Sequence, residues 1–254
     1  MIRVENIHKN FGEHEVLKGI STVFEKGRTN LIIGASGSGK TVLLKCLLGL
    51  FQPDKGKIYY EDKVIQQMDD DEKRYLREHI GMLFQGGALF DSMTIEENVM
   101  FPLRLFTNKK RIEMLDRVNE VLERVNLKNV NNRYPAEISG GMKKRVSIAR
   151  AIVNKPKYLF CDEPNSGLDP NTATVIDNLI QEITKEFNIT TIVVSHDMNS
   201  VMEIGESIVL LKNGVLVWEG SNRDIFKTDN KHVVDFVYSS NLYKKIREVQ
   251  LKEG

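Results

Sequence analysis

The sequence predicts an α/β fold around a mostly parallel sheet, and three features carry that prediction. Short apolar runs alternate with helical stretches, a glycine-rich segment joins one such run to a helix at 34–41, and strand-like and helix-like patterns alternate after Pro156. Parallel strands need crossover connections, which the intervening helices supply.

Taken in order, residues 4–7, 20–24 and 30–33 are apolar runs bounded by turn residues, and 41–50 reads as a helix after the third. Residues 94–154 behave differently. Ile112, Leu115, Val118, Leu122 and Val125 recur at three- and four-residue steps, which predicts one apolar stripe on a helix, with Asn108-Lys109-Lys110-Arg111 as its polar start. Pro135 interrupts that pattern before a second helix over 141–154, so a helical insertion is expected over about 86–154. Beyond it, 158–161 and 190–194 read as strands, 171–187 and 197–204 as helices. Runs 207–211 and 215–218 flank Lys212-Asn213-Gly214, whose Asn-Gly step predicts a hairpin. In the tail 239–254, Leu242, Ile246 and Val249 fall on a short helical stripe beside Lys244, Lys245 and Arg247.

At about 150 residues per domain, 254 residues predict fewer than two, so one domain over 1–238 with an embedded subdomain is expected. Lys+Arg 36 against Asp+Glu 35 gives a net charge of +1, which excludes the basic excess of a protein that coats nucleic acid. Uninterrupted apolar stretches are only a handful of residues long, so no membrane span is expected. The start Met1-Ile2-Arg3-Val4-Glu5-Asn6 has no apolar signal-peptide core, and a cytoplasmic chain is expected. Cys46 and Cys161 belong to no metal or redox spacing and are expected as reduced, packed thiols.

Gly34-Ala35-Ser36-Gly37-Ser38-Gly39-Lys40-Thr41 matches the phosphate-loop pattern GxxxxGK[ST], after an apolar strand and before a helix. Its glycines let the backbone wrap phosphates with N–H groups inward, the helix N-terminus adds positive partial charge, and Lys40 reaches the β and γ oxygens. Thr41 is placed to hold Mg²⁺. A second acidic element follows in Tyr158-Leu159-Phe160-Cys161-Asp162-Glu163. Asp162 at the end of an apolar strand suits ordering of Mg²⁺, and Glu163 suits proton acceptance from an attacking water.

Ile138-Ser139-Gly140-Gly141-Met142-Lys143-Lys144-Arg145 resembles the signature motif of ATP-binding cassette (ABC) proteins, with Ile where Leu is most common. In matching order, Gln85 resembles the Q-loop glutamine, Ser166-Gly167-Leu168-Asp169 the D-loop and His196 the switch histidine, while Phe11 stands where an adenine-stacking aromatic is expected. The resemblance spans residues 1–225. It implies a P-loop NTPase of the ABC type: a mixed sheet core, N-terminal antiparallel strands and an inserted helical subdomain. It implies ATP and Mg²⁺ as ligands, with Glu163, His196 and Gln85 catalytic and Thr41, Gln85 and Asp162 toward the metal. Nucleotide contacts are implied for Phe11, residues 34–42, Asp169 and, from a second copy, Ser139, Gly140 and Gly141. Val42 departs from the family's frequent second hydroxyl residue, leaving only its backbone N–H for the α-phosphate.

Within that family, the segment Met82-Leu83-Phe84-Gln85-Gly86-Gly87-Ala88-Leu89-Phe90-Asp91-Ser92-Met93-Thr94, with Glu97-Asn98-Val99 and Phe101-Pro102-Leu103, is similar to the ATPase of Mla-type phospholipid transport systems. That similarity implies a membrane permease and an MCE-domain lipid carrier as partners, no nucleic acid, and a place on the cytoplasmic face of the inner membrane through the permease. Leu89, Phe90, Met93 and Phe101 are apolar enough either to receive a permease helix or to pack under the insertion. The alternatives are an importer ATPase for another solute and, from another class, a soluble ABC protein acting on ribosomes or DNA, which usually carries two cassettes or a long coiled coil.

Overall fold

The computed structural model describes residues 1–238, so the stripe expected at Leu242, Ile246 and Val249 lies outside the described residues. The described residues divide into two compact units: Met1–Glu25, Asn30–Gln66 and 194–238 form the first, Lys26–Thr29 and Gln67–Val193 the second.

In the first unit, β1 (Ile2–Phe11) and β2 (His14–Phe24) form a hairpin in which Ile2 faces Phe24 and Phe11 faces His14. Strands β3 (Thr29–Ile33), β4 (Lys55–Tyr60) and β5 (Lys63–Val64) follow, with α1 (Lys40–Leu47) between the first two. The antiparallel sheet runs β2-β1-β4-β5. Both hairpin strands exceed the predicted 4–7 and 20–24. Ladder pairing on both edges of β1 keeps polar His8 extended, although the sequence there lacks apolar alternation. Buried β3 runs parallel to β9 (Ser207–Lys212), and β9 turns into antiparallel β10 (Val215–Gly220). Asn213 and Gly214 at that turn have φ of 52° and 80°, the double left-handed step of a type I′ hairpin. The unit also holds α7 (Met198–Ile204) and α8 (Lys231–Val237), the latter not anticipated from the sequence.

In the second unit, β6 (Ile80–Leu83) runs parallel to β7 (Tyr158–Asp162), and β8 (Thr190–Ser195) is the other neighbour of β7. Helix α2 (Asp70–Glu78) precedes β6 and starts at a capping box of Asp69 and Glu72. The helical segment is three helices rather than the expected two: α3 (Ile95–Phe106), α4 (Arg111–Arg124) and α5 (Gly140–Ile152). The capping box of Thr94 and Glu97 starts α3. Val118, Leu122 and Val125 are buried as expected, but Ile112 is 69% exposed, because the first turn of α4 lies beyond the cover of its neighbours. Arg117 donates from Nε to the Val153 carbonyl and from a terminal nitrogen to the Ile152 carbonyl, closing the C-terminal end of α5. Gly81 allows β6 to approach α5, since a Cβ there would lie 2.3 Å from the Ala151 carbonyl oxygen. Helix α6 (Pro170–Glu186) begins at Asp169.

Cys46 and Cys161 are free and buried. Burial pushes the Cys46 thiol up to about 11 and raises Cys161 further, so both stay protonated and unreactive. Among the described residues no helix is long and apolar enough to cross a membrane.

Candidate active site

The first unit carries the phosphate loop, and its shape follows from its glycines. Gly34 has φ of 148°, and a Cβ there would lie 2.3 Å from the Leu211 carbonyl oxygen and 2.7 Å from Ser38 Oγ. Gly39 caps α1 in the left-handed conformation, with a Cβ position 2.9 Å from Leu17. No side chain caps α1 and no acidic residue occupies its first turn, the arrangement in which the amides of a helix N-terminus can receive an anion. The Lys40 ammonium folds back to donate to the carbonyls of Gly34 (2.8 Å) and Ala35 (3.1 Å). A phosphate oxygen is a stronger acceptor for that ammonium than either carbonyl. The loop is braced from outside: the Gly214 amide donates to the Ser38 carbonyl at 3.1 Å. A cleft of about 340 Å³ opens beside it, bounded by Ser36 and Ser38, the end of β9 and His232 and Phe236 of α8.

Phe11 is 46% exposed, with its ring edge-on to Phe51 at 5.3 Å and the Lys9 ammonium 5.4 Å from its centroid. Thr41 and His196 are exposed and Val42 is half-buried.

The second unit carries the acidic strand end and the signature segment. Asp162 ends β7 and Glu163 follows it, both half-buried. Glu163 has φ of 48°, a conformation costly for a residue with a side chain, and such strain collects at functional positions. Ser139 caps α5, its Oγ accepting the Met142 amide at 3.3 Å, with no acidic residue in the first turn. Gly141 packs closely on α6, where a Cβ would lie 2.8 Å from Thr172. Asp169 caps α6: its carboxylate accepts from the Thr172 hydroxyl at 2.6 Å and the Thr172 amide at 3.0 Å. Those two bonds, the hydroxyl first, hold its carboxyl below the usual range.

Gln85 is exposed, and its carbonyl receives the ammonium of Lys144 at 2.5 Å. Burial pulls Lys144 below the usual lysine range, and the Glu163 carboxylate opposes that shift. Within the second unit Lys144, a residue of the signature segment to which the sequence reading gave no role, ties α5 to the main chain at Gln85. Lys144, Ser147 and Arg150 were missed; the available signal was polar residues on the buried face of a helix. Gly214 was read only as a hairpin residue, although it braces the phosphate loop. Among the described residues no group of three or more His, Cys, Asp and Glu side chains is gathered that could hold a metal ion.

A family model described as ABC transporter matches residues 17–166. The chain is 42% identical over 227 residues to the methionine import ATP-binding protein MetN of Clostridium tetani, spanning 89% of this chain and 71% of that protein. Among solved structures it resembles the ATP-binding cassette MJ0796, a dimer in a post-hydrolysis state bound to ADP and Pi, with TM-score 0.79 and 33% identity over 88% of this chain and 99% of that one. It also resembles cbiO1 from Clostridium perfringens, part of the ABC transporter complex cbiONQ, with TM-score 0.83 and 29% identity over 98% of each chain. The expected likeness to phospholipid-transport ATPases finds no support here, since the relatives found carry the name methionine import. By the matched family model, the motif set and these relatives, the chain belongs to the ABC transporter family as one of its ATP-hydrolysing cassettes.

Proposed function

We propose that the chain is the ATPase subunit of a membrane importer and works as two copies, each ATP held between the phosphate loop of one and the Ser139–Gly141 helix end of the other. The observation that carries the hydrolytic assignment is Glu163, a carboxylate at the end of β7 kept in a strained left-handed backbone. The dimeric structure of MJ0796 supports the pairing.

Lys40 and the first amides of α1 bind the β and γ phosphates, Phe11 stacks on adenine, and the Val42 amide serves the α-phosphate. Thr41, Asp162 and Gln85 offer the hard oxygen ligands Mg²⁺ takes, and the ion supplies neutralisation of phosphate charge. Glu163 accepts a proton from water as the water oxygen bonds to the γ-phosphorus and the bond to ADP breaks. His196 donates to a γ-phosphate oxygen, and Gln85 orients the water. Because Ser139, Gly140 and Gly141 engage ATP only across two copies, with the D-loop residue Asp169 as a further nucleotide contact, ATP favours the closed pair and phosphate release reopens it.

Phe90, 41% exposed, and its neighbours are the surface for a permease, which keeps the cassette on the cytoplasmic face of the membrane. Small-solute cargo has the support of the methionine-import relatives. Phospholipid cargo with an MCE-domain carrier has support only from residues 82–103. A net charge of +1 gives no footing for nucleic acid as the partner.

Glu163→Gln should bind ATP and accumulate as closed pairs on size-exclusion chromatography, and wild-type turnover would remove Glu163 from its role. Purification from membranes identifies the cargo class: a solute-binding protein with the permease supports import of a small solute, and an MCE-domain protein supports lipid.

A further inference from the structure

Helix α5 presents Lys144, Ser147 and Arg150 at three-residue steps, and they are 6%, 0% and 9% exposed. All three hold main-chain carbonyls of one short segment. Lys144 Nζ donates to the Gln85 carbonyl at 2.5 Å, and the single Ser147 hydroxyl proton lies between the Gly87 carbonyl at 3.1 Å and the Lys143 carbonyl of its own helix at 2.9 Å. The Arg150 guanidinium forks, donating to Gly87 and Ala88 carbonyls at 2.7 Å each. Six residues of helix rise about 9 Å, enough to grip the segment at both ends. The gripped backbone is itself left-handed, with φ of 77° at Gly87 and 46° at Ala88, and a Cβ on Gly87 would lie 2.9 Å from Ser147 Oγ.

Burying a cation is costly unless it is paired. Among the described residues, Lys144 and Arg150 meet neutral carbonyls and no carboxylate within ion-pair distance. Their donors go to main-chain carbonyls of the one segment, so what these cations fix is its position. Arg150 also lies 6.0 Å from the Phe90 ring centroid.

We infer that Lys144 and Arg150 are positioning residues that tie the backbone of Gln85–Ala88 to α5, so that movement at the Ser139 end of the helix reaches the Gln85 amide and the Phe90 ring. The inference rests on the assignment of Gln85 and Glu163 to hydrolysis proposed above. It adds the mechanical link between a residue on the water and a helix whose far end binds a second nucleotide.

The test is steady-state ATP hydrolysis by the full chain with Lys144→Met, which keeps the stem and deletes the donor, and Lys144→Gln, whose amide can still donate. We expect Lys144→Met to lower kcat roughly ten- to hundredfold with KM for Mg-ATP within about twofold, as misplacement of a positioned group does. Lys144→Gln should recover most of that loss at the same Tm. Equal kcat in the two variants, or a loss confined to KM, overturns the link. If Lys144→Met does not fold, Arg150→Lys carries the test, because a lysine ammonium lacks the rigid planar fork that places two guanidinium donors on the Gly87 and Ala88 carbonyls at once. It should lower kcat at constant KM, and wild-type kcat overturns the link. Glu163→Gln separates the two levels. Wild-type turnover there sinks the site assignment and the link with it; lost turnover beside an unaffected Lys144→Met sinks the link alone.

Discussion

Asn98 closes a ring of hydrogen bonds on Phe90: its Oδ1 accepts the Phe90 amide at 2.8 Å while its Nδ2 donates back to the Phe90 carbonyl at 3.1 Å. The same nitrogen reaches the carbonyls of Met93 and Thr94 at 3.1 and 3.0 Å, and the side chain is fully buried. One amide on α3 therefore fixes the loop that presents Phe90. Asn98→Leu keeps the size but leaves these backbone groups without their partner. It should cost about 2–4 kcal/mol. Urea unfolding measures this, and a change under about 1 kcal/mol would show that the loop finds other partners.

Gly214 ties the β9–β10 turn to the phosphate loop. Its φ is 80°, and a Cβ would lie 2.2 Å from the Val16 carbonyl oxygen, so Gly214→Ala must displace the turn. That displacement moves the amide that donates to Ser38. We expect a loss of about 2 kcal/mol or more in stability and, distinctively, weaker ATP binding from a residue outside the loop's motif. Calorimetric titration with ATP decides: unchanged affinity would mean the loop holds its shape without the brace.

The phosphate loop was legible because its information is contiguous: glycine spacing, a preceding strand and a following helix all lie within a dozen residues. The Asn213-Gly214 turn was legible for the same reason. The extent of β1 was not, since polar His8 is held by strands on both sides rather than by its own pattern. Periodicity placed Ile112 on the stripe of α4 but cannot say where neighbouring cover ends, and the residue is exposed. Likewise α3 blended into the helical segment because the sequence pattern did not reveal where one helix stopped. The Lys144–Gln85 bond joins residues 59 apart, a relation no local pattern encodes. Cargo specificity was read from a short surface segment, and surface residues around a shared core carry the least constrained information.

Asp169 gives a pH signature. Its carboxyl lies below the ordinary value of 3.8, first through the Thr172 hydroxyl and then through the Thr172 amide. A folded-state value below the unfolded one means the stabilisation is fully present above about pH 4–5 and is lost as pH falls through the folded value. Thr172→Val removes the hydroxyl. The stability gap between wild type and Thr172→Val should therefore be constant near neutrality and shrink on acidification below about pH 4. Acid titration followed by circular dichroism checks this, and a gap independent of pH would assign the effect of Thr172 to packing on Gly141.

Phe90 separates docking from folding. Its ring lies 5.0 Å from Phe101 and 41% exposed, above the Arg150 guanidinium. A carboxylate placed there can reach solvent and also face that cation, so Phe90→Glu should cost the isolated chain no more than about 1 kcal/mol. The charge would, however, have to be stripped of water to sit against an apolar permease helix, a far larger penalty. Phe90→Glu is expected to bind ATP normally and to lose its membrane partner on affinity purification from detergent extracts. Undiminished recovery of the partner, at wild-type ATP turnover in the complex, would place the docking surface elsewhere on the cassette.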